Sequence, residues 1–542
     1  MNMKKTLVVM FAAVAAVGLL SGCGAKKTAI GEDGKYTYTM TMYQTGTSNP
    51  DSVQLKNIEE KYNINLDVWD VEWQKYDEIL NLKLAGGEVP DIMYVKTASA
   101  AQKYVDQDVV APLSEKMLQE KAPNLLKRLE EDAPDILKYY YIDDELYALP
   151  SFSVGAGANG IPMVWRGDWL KNVGITKVPE TLDEYEDAFY KFALNDPDGN
   201  GKKDTYGLSR SGLVGVFASY GYVPSLGQTG STGGYWMERD GELVYSSVQP
   251  EMKEALARIS KWYQDGVLDP EFITGENKGG YWAISHQFVN GLIGFTSHGM
   301  SYHWEPQFFA NADASTSGQD RFELSKLNAA AANALEISGK PPVKDDTERK
   351  IYPKKEYVRG ERWMFSKDLV SDEEKLNNLL SIYNDIYANK ENFDYVNTGE
   401  KGVVWNYEDT PSVDGKTYKK SVFLGDWKDD EFRNKNKFAF NLFTPSFPDS
   451  EKIVTPRDDW AIPRGFGEQY MPTNRLYVSL PSENKYNAEL TKIEEESYIA
   501  IITGEKPLDY FDEFAAKWRA SGGEKLEKEA KEWYAEVNAH RK

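Results

Sequence analysis

Residues 195–207 (NDPDGNGKKDTYG) combine acidic, amide and glycine residues at a spacing that suits a calcium ion. In a calcium-binding loop, positions 1, 3 and 5 supply side-chain oxygens, position 7 supplies a backbone carbonyl, and a glycine at position 6 allows the sharp turn. The ligands predicted on this pattern are Asp196, Asp198, Asn200, Lys202 through its carbonyl, and Asp204. Because a closed shell leaves no open position for chemistry, we predict that this Ca²⁺ is structural.

The match to a calcium loop is incomplete at its end. Position 12, where a bidentate Glu is usual, is Gly207, so water, Thr205 or a distant carboxylate has to complete the shell. Asp, Asn and Gly also dominate ordinary turns, which leaves a turn without metal as the alternative. Repulsion among the clustered aspartates favours the calcium site. The preceding segment predicts a helix with a capping box at Thr181 and Glu184, which positions the loop.

The N-terminus predicts export and a lipid anchor. Residues 6–20 are an apolar run too short to span a bilayer, and they follow a short basic start, as in a secretory signal. The run ends in Leu-Ser-Gly-Cys, which resembles the lipobox of bacterial lipoproteins. We therefore predict a lipoprotein signal peptide at 1–22, a lipid (palmitate) anchor on Cys23 and a polar tether at 23–35. Ordinary signal cleavage beside a chance cysteine is the alternative.

The composition limits the partners of the chain. With 542 residues, the chain is long enough for two or more domains, and its formal net charge is −22. Such an acidic chain lacks the basic footprint of nucleic-acid binding. It is also unsuited to electrostatic docking on an anionic membrane, so membrane contact is expected through the lipid alone. Aromatic residues make up 13% of the chain, and the rings of Trp and Tyr can stack on the apolar faces of sugars.

The first part of the mature chain alternates between strand and helix patterns. The strand-like segments are YTYTMTMY, INLDVWDV and PDIMYV, and the helix-like segments between them are SVQLKNIEEKY and QKYDEILNLKLAGG. This β-α-β-α-β order predicts a parallel sheet with right-handed crossovers. Ligands bind beyond the carboxyl ends of such strands, which here carry residues 44–46 and 96–99.

Segments along nearly the whole mature chain carry a family resemblance. They include EEKYNINLDV, LKLAGGEVPDIMYV, VWRGDWLKNVGITKVPETLDEY, NDPDGNGKKDTYGLS and WYQDGVLDPEF. In this order they resemble the extracellular solute-binding proteins family 1, the sugar-binding components of ABC importers. WYQDGVLDPEF and the C-terminal segment IITGEKPLDYFDEFAAKWRASGGEKLEKEAKEWY resemble the large lipoprotein branch of that family. Alginate- and fructo-oligosaccharide-binding proteins resemble this branch and carry a similar calcium loop. Relatives often have an acidic residue where this chain has Thr205.

The resemblance implies an α/β, two-lobed periplasmic-binding-protein-like fold of type II, with the ligand cleft between the lobes. On that basis we predict lobe 1 at 36–160 and about 350–430, lobe 2 at about 161–345 and 435–542, and a hinge near 149–150. The implied function is capture of a carbohydrate, specifically an oligosaccharide, for ABC transporter permease subunits. The implied state is a monomeric lipoprotein on the extracellular face of the cell membrane.

Candidate ligand contacts are aromatic side chains in loops and polar side chains near strand ends. By resemblance, Trp304 is the first candidate, because a similar position holds a ligand-stacking Trp in relatives. The further candidates are Trp282, Trp405, Trp460, Lys96, Thr97 and Arg166. Core packing is the alternative for each tryptophan, and an ion pair with Asp168 or another acid is the alternative for Arg166.

The alternative function is a surface polysaccharide-degrading enzyme, either a hydrolase or a lyase. With 85 acidic residues, a pair of carboxylates does not by itself indicate glycoside hydrolysis. The sequence contains no HExxH and no G-x-S-x-G motif. A G-x-G-x-x-G match at 155–160 precedes a strand-like segment instead of the helix of a dinucleotide site. We therefore predict a binding protein and not an enzyme.

Overall fold

A computed structural model describes residues 30–43, 49, 51–72, 75–132, 136–151, 163–226, 233–274, 286–289, 291–297, 336–340, 342–343, 361–411, 417–438, 440 and 474–539. Cys23 and the predicted signal peptide lie outside the described residues. Among the helices that are described, none combines the length and the apolar character needed to cross a bilayer.

The strands are β1 (Tyr36–Tyr43), β2 (Ile64–Val71), β3 (Ile92–Val95), β4 (Tyr141–Ile142), β5 (Glu145–Leu146), β6 (Ala148–Pro150), β7 (Met163–Arg166), β8 (Tyr206–Leu208), β9 (Trp236–Arg239), β10 (Glu242–Tyr245), β11 (Ile293–Thr296), β12 (Glu336–Gly339), β13 (Arg362–Phe365), β14 (Trp405–Pro411) and β15 (Thr417–Phe423).

The α-helices are α1 (Val53–Tyr62), α2 (Tyr76–Ala85), α3 (Ala98–Asp106), α4 (Glu115–Lys121), α5 (Pro123–Asp132), α6 (Gly167–Asn172), α7 (Leu182–Leu194), α8 (Leu213–Ala218), α9 (Glu251–Gln264), α10 (His286–Val289), α11 (Lys367–Ser371), α12 (Glu373–Ile386), α13 (Lys390–Thr398), α14 (Asp430–Asn436), α15 (Glu483–Thr503), α16 (Tyr510–Trp518) and α17 (Glu524–Ala539).

The first sheet has the strand order β2-β1-β3-β13-β6. β1 runs parallel to β2 and β3, whereas β13 runs antiparallel to β3 and β6. The β-α-β-α-β order predicted for the start of the chain is therefore confirmed. The sequence pattern reflects burial: Tyr38 and Met40 alternate into the core from β1, and β3, an unbroken apolar run, is buried along its length.

The second sheet has the strand order β12-β7-β11-β8. β11 runs parallel to β8, and β7 runs antiparallel to both β11 and β12. The helix α7 packs closely on this sheet, because a Cβ at Gly207 or Gly294 would collide with Phe189 or Phe192 of the helix. The capping box predicted at the start of α7 is present and fixes its first turn.

Buried apolar side chains form two clusters. The first core contains residues from 38–149 and 363–396, together with Phe438, Phe440, Tyr477 and Val537. The second core contains residues from 163–295 and 480–534. Phe438, Phe440 and Tyr477 thus pack with the first core, although the sequence assigned 435–542 to lobe 2. The lobe boundaries themselves stay a prediction.

Candidate functional site

Two connections link the strands of the first sheet to the second core, and both lie at the same end of this sheet. β1, β2 and β3 are parallel, so their carboxyl ends lie together. Arg362, the first residue of β13, pairs with Val95, the last residue of β3, and with Pro150, the last residue of β6. The chain therefore leaves this sheet after Pro150 and re-enters it at Arg362. We call this end the crossing end of the first sheet.

The second sheet has a matching crossing end. Met163, the first residue of β7, pairs with Gly339, the last residue of β12. Because β11 is antiparallel to β7 and parallel to β8, Leu208 and Thr296, the last residues of β8 and β11, lie at the same end. The connections 152–162 and 344–360 therefore join the two crossing ends. Strand ends of this kind are where open α/β sheets bind ligands.

A third passage between the cores runs through residues 474–480. At its start, Trp236 N–H donates to Asn474 Oδ1 (3.0 Å), and Arg475 N–H donates to the Trp236 carbonyl (2.8 Å). Further along, the Tyr477 carbonyl accepts a hydrogen bond from the buried Arg362 guanidinium (3.1 Å). Leu480 then packs in the second core. This segment contacts both cores and the crossing end of the first sheet. The sequence analysis did not predict it as a passage between the cores.

The predicted calcium loop folds back on itself directly after α7. Asp196, with φ 47°, adopts a left-handed conformation and accepts hydrogen bonds from the N–H groups of Asn200 and Gly201, both at 3.0 Å. The Asn200 amide nitrogen lies 2.8 Å from Asp198 Oδ2 and 3.2 Å from Asp204 Oδ1. The loop therefore gathers all three carboxylates around one residue, Asn200, Asp196 at its backbone N–H and the other two at its side-chain amide.

The electrostatics of the loop show that this crowding has a cost. Burial, followed by a side-chain hydrogen bond with Asp196 and by the charges of Asp204 and Asp196, raises the pKa of Asp198 above its usual value. Within the described residues, no group of three or more His, Cys, Asp or Glu side chains is arranged as a metal site. Thr205 donates to the Phe192 carbonyl (2.8 Å) and is buried, so its hydroxyl is not placed to complete a shell.

The loop lies at the outer end of the second sheet, opposite the crossing end, because it leads into the first residues of β8. Asn172, the last residue of α6, donates to the Pro197 carbonyl (2.8 Å) and ties the loop to the helix that follows β7. Arg166, the last residue of β7, lies at the same outer end. The predicted metal site is therefore separated from the crossing end by the length of the strands.

Arg166 makes a bidentate ion pair with Asp168. The distances are 2.9 Å from Nε to Oδ1 and 2.6 Å from Nη2 to Oδ2. The guanidinium also lies 4.5 Å from the ring centroid of Trp169, and Arg166 is 1% exposed. The ion pair that the sequence left as an alternative is thus present, at the outer end of the sheet. A contact of Arg166 with ligand stays an untested prediction.

Lys96 and Thr97 lie at the crossing end of the first sheet, directly after β3. Lys96 Nζ lies 3.2 Å from Asp77 Oδ2 and 5.1 Å from the ring centroid of Tyr76. Thr97 caps α3, because its hydroxyl accepts a hydrogen bond from the Ala100 N–H (3.1 Å). Both residues are therefore placed where a ligand of the sheet would bind, although the Thr97 hydroxyl also has a structural role.

Of the four tryptophans predicted to stack on a ligand, only Trp405 lies within the described residues. Trp405 is 3% exposed, its Nε1 donates to the Gly399 carbonyl (2.9 Å), and its ring packs edge-on against Tyr407. This arrangement is the core packing that the sequence left open for Trp405, and it offers little ring surface to a ligand. Trp282, Trp304 and Trp460 lie outside the described residues.

Comparison with known proteins identifies the family. The family model described as bacterial extracellular solute-binding protein matches residues 54–344, more than half of the chain. The chain belongs to this family. The resemblance inferred from the sequence segments is therefore confirmed.

Two curated relatives of this solute-binding protein come from Bacillus subtilis (strain 168). The polygalacturonan/rhamnogalacturonan-binding protein YtcQ is 23% identical over 96% of this chain and 96% of its own length. Lipoprotein LipO is 24% identical over 95% of this chain and 96% of its own length.

Solved structures confirm the fold class of the solute-binding protein. An extracellular solute-binding protein from Bifidobacterium longum subsp. infantis superposes with a TM-score of 0.65 at 19% identity, covering 94% of this chain and 99% of that chain. The S. pneumoniae ABC-transporter substrate-binding protein FusA, as an EF-hand mutant in complex with fructo-nystose, gives 0.54 at 17% identity, covering 93% and 100%. The predicted two-lobed α/β fold of type II is therefore confirmed.

Proposed function

We propose that this solute-binding protein captures an oligosaccharide between the two crossing ends and delivers it to the permease subunits of an ABC importer. The observation that carries the proposal is that two α/β cores are joined through the strand ends at which such sheets bind ligands. The names of YtcQ and of the FusA complex support a carbohydrate as the solute. We also propose that the protein acts as a monomer.

Capture between two bodies suits a ligand covered with hydroxyl groups. Closure of hinged bodies removes the ligand from water and brings polar groups from both sides to it. The crossing end of the second sheet carries the hydroxyl residues Ser209, Ser211, Thr296 and Ser297, all of which are buried. Ser297 Oγ accepts from the Gly215 N–H (3.0 Å) and donates to the Ser211 carbonyl (3.1 Å), which fixes the backbone at this end.

A panel of oligosaccharides in a thermal-shift screen, followed by calorimetry, tests the proposal. Trp304→Ala should weaken binding of the ligand so identified by about 1–3 kcal/mol, as expected for the loss of a large side chain that binding buries. Trp427→Ala, at a partly buried tryptophan in the segment Gly425–Lys428, is the matched control and should bind normally. If no carbohydrate binds and another class of solute does, the sugar assignment is wrong.

The alternative of a polysaccharide hydrolase or lyase makes a different prediction. The family and the relative YtcQ are binding proteins by name, which supports binding without turnover. Incubation with each glycan that binds should yield neither new reducing ends nor unsaturated products. Accumulation of either product, in proportion to protein concentration, would establish the enzyme.

We further propose that the loop at 196–204 holds one structural Ca²⁺. The convergence of Asp196, Asp198 and Asp204 around Asn200 supports this assignment, because calcium prefers such oxygen ligands. Rotation of the Asn200 amide would exchange its donor for its acceptor, and the Lys202 carbonyl is the further ligand predicted. Burial is the main reason that the pKa of Asp198 is raised, and the ion would offset the part that the charges of Asp204 and Asp196 add.

The proposed location is the extracellular face of the cell membrane, with a lipid on Cys23. The sequence at 20–23 and the relative named lipoprotein LipO support this assignment. Cys23→Ser should release the protein into the medium. The assignment is wrong if that variant remains with the membrane after washing without detergent.

A further inference from the structure

Lys96 and Asp77 meet at the crossing end of the first sheet, although they come from different connections. Lys96 directly follows β3, and Asp77 lies in the first turn of α2, which follows β2. The parallel strands place both connections at one end of the sheet. This is the end at which we propose that the carbohydrate binds, and the inference below rests on that proposed function.

The Lys96 ammonium group is held in place by its surroundings. Its Nζ lies 3.2 Å from Asp77 Oδ2 and 5.1 Å from the ring centroid of Tyr76. The Tyr76 ring is fully buried, and its hydroxyl lies 2.6 Å from Thr41 Oγ1 and 2.8 Å from the Tyr94 carbonyl. The ammonium group of Lys96 thus lies against a fixed ring. The Lys96 side chain therefore has little conformational entropy left to lose when a ligand binds.

The two charged groups differ in their access to water. The Lys96 side chain is 13% exposed, whereas the Asp77 side chain is 55% exposed. An ion pair with such an exposed partner contributes little to folding, typically less than about 1 kcal/mol. The arrangement leaves a donor and an acceptor side by side at the surface of the proposed site.

A donor next to an acceptor matches the chemistry of a sugar ring. The ammonium group only donates hydrogen bonds, the carboxylate only accepts them, and each sugar hydroxyl can do both. We propose that Lys96 and Asp77 act together on two neighbouring hydroxyls of one sugar ring, as a subsite on the first-core side of the cleft. Hydrogen bonds to charged groups are stronger than neutral ones, which gives this subsite influence on affinity.

The acidic surroundings favour hydroxyls over a ligand carboxylate as the target of Lys96. Asp77 already neutralises the ammonium group. The antiparallel register that pairs Arg362 with Val95 places Glu361 opposite Lys96, which adds a second acid at this end. A carboxylated sugar ring placed here would meet like charge, whereas a ring that offers hydroxyls would not.

The test is a double-mutant cycle with Lys96→Gln and Asp77→Ala, read by calorimetry. The probes are the galacturonic acid tetramer and galactotetraose, and each variant is compared with wild type on every probe that wild type binds. Each single change should weaken binding about tenfold, and the double variant should lose less than the product of the two. The matched control is Lys83→Gln, in a pair with Glu88 (2.8 Å) at the opposite end of α2, and it should bind as wild type does.

The sign of the Asp77→Ala effect decides between the possible targets. If Lys96 binds a ligand carboxylate, removing Asp77 should tighten binding of the galacturonic acid tetramer, and that result would overturn the proposal. Unchanged affinity in both single variants, with normal melting curves, would assign the pair to the structure of α2 alone. If wild type binds no carbohydrate at all, the proposed function itself fails.

Discussion

The two ends of the second sheet carry different kinds of polar residue, charged and amide side chains at the outer end and hydroxyl side chains at the crossing end. At the outer end, polar groups bind one another: Arg166 pairs with Asp168, Asn172 with Pro197, and Asp196 with Asn200. At the crossing end, β11 finishes in Thr296, hydroxyl residues follow β8 and β11, and the chain departs toward the first core. We propose that the outer end serves stability and that the crossing end serves binding.

The helix α7 connects these two ends. Its first residue, Leu182, donates to the Val343 carbonyl (2.8 Å) beside the connection between the cores, and its last turn leads into the calcium loop. If the ends are functionally separate, changes at the outer end should alter unfolding without altering ligand affinity. The predictions below test that separation, in order of decreasing effect.

Arg166→Met should cause the largest loss of stability. It removes a nearly buried cation and leaves Asp168 without its bidentate partner, which should cost about 3 kcal/mol in the free energy of unfolding. Arg258→Met, at a more exposed pair with Asp183, is the control and should cost less than about 1 kcal/mol. Urea unfolding gives both values, and calorimetry on the folded fraction should show unchanged ligand affinity. A large loss of affinity in Arg166→Met would place Arg166 in the binding site.

Removal of calcium should have the next largest effect. A free Ca²⁺ concentration of one hundred times the dissociation constant would stabilise the folded state by about 2.7 kcal/mol. A chelator that removes the ion should therefore lower the melting temperature. Asp198→Ala should abolish the response to chelator, whereas Asp187→Ala, at an exposed pair on α7, should retain it. Identical melting curves of metal-free and calcium-loaded wild type would contradict the site.

Changes at the start of α7 should have smaller effects. Thr181→Ala removes the helix cap and should cost about 1 kcal/mol in the free energy of unfolding, as measured by urea unfolding.

The N–H groups of Glu180 and Thr181 hold the pKa of Glu184 below its usual value. A lowered pKa adds stability above the unfolded pKa, and that contribution is lost as the pH falls through the folded pKa. Glu184→Ala should therefore have a lower free energy of unfolding than wild type at pH 7, and the gap should narrow in acid, as measured by urea unfolding. An equal loss of stability at both pH values would contradict this.

Local patterns allowed much of the fold to be predicted. The alternation in β1, the apolar run of β3 and the capping box of α7 each depend on residues close in sequence. The passage at 474–480 and the contact of Arg362 with Tyr477 were missed, because they depend on partners more than one hundred residues apart. The Arg166 ion pair could be foreseen as an alternative since its partner lies two residues away, but its place at the outer end required the strand register.

Hydrogen exchange followed by mass spectrometry, with and without the oligosaccharide that the screen identifies, tests the central claim most directly. The account predicts slower exchange with ligand in peptides that cover 95–97, 208–212 and 361–362, at the two crossing ends. Exchange in 196–204, at the outer end, should not change. Protection confined to 196–204, or absent from both crossing ends while the ligand is bound, would contradict capture between the two sheets.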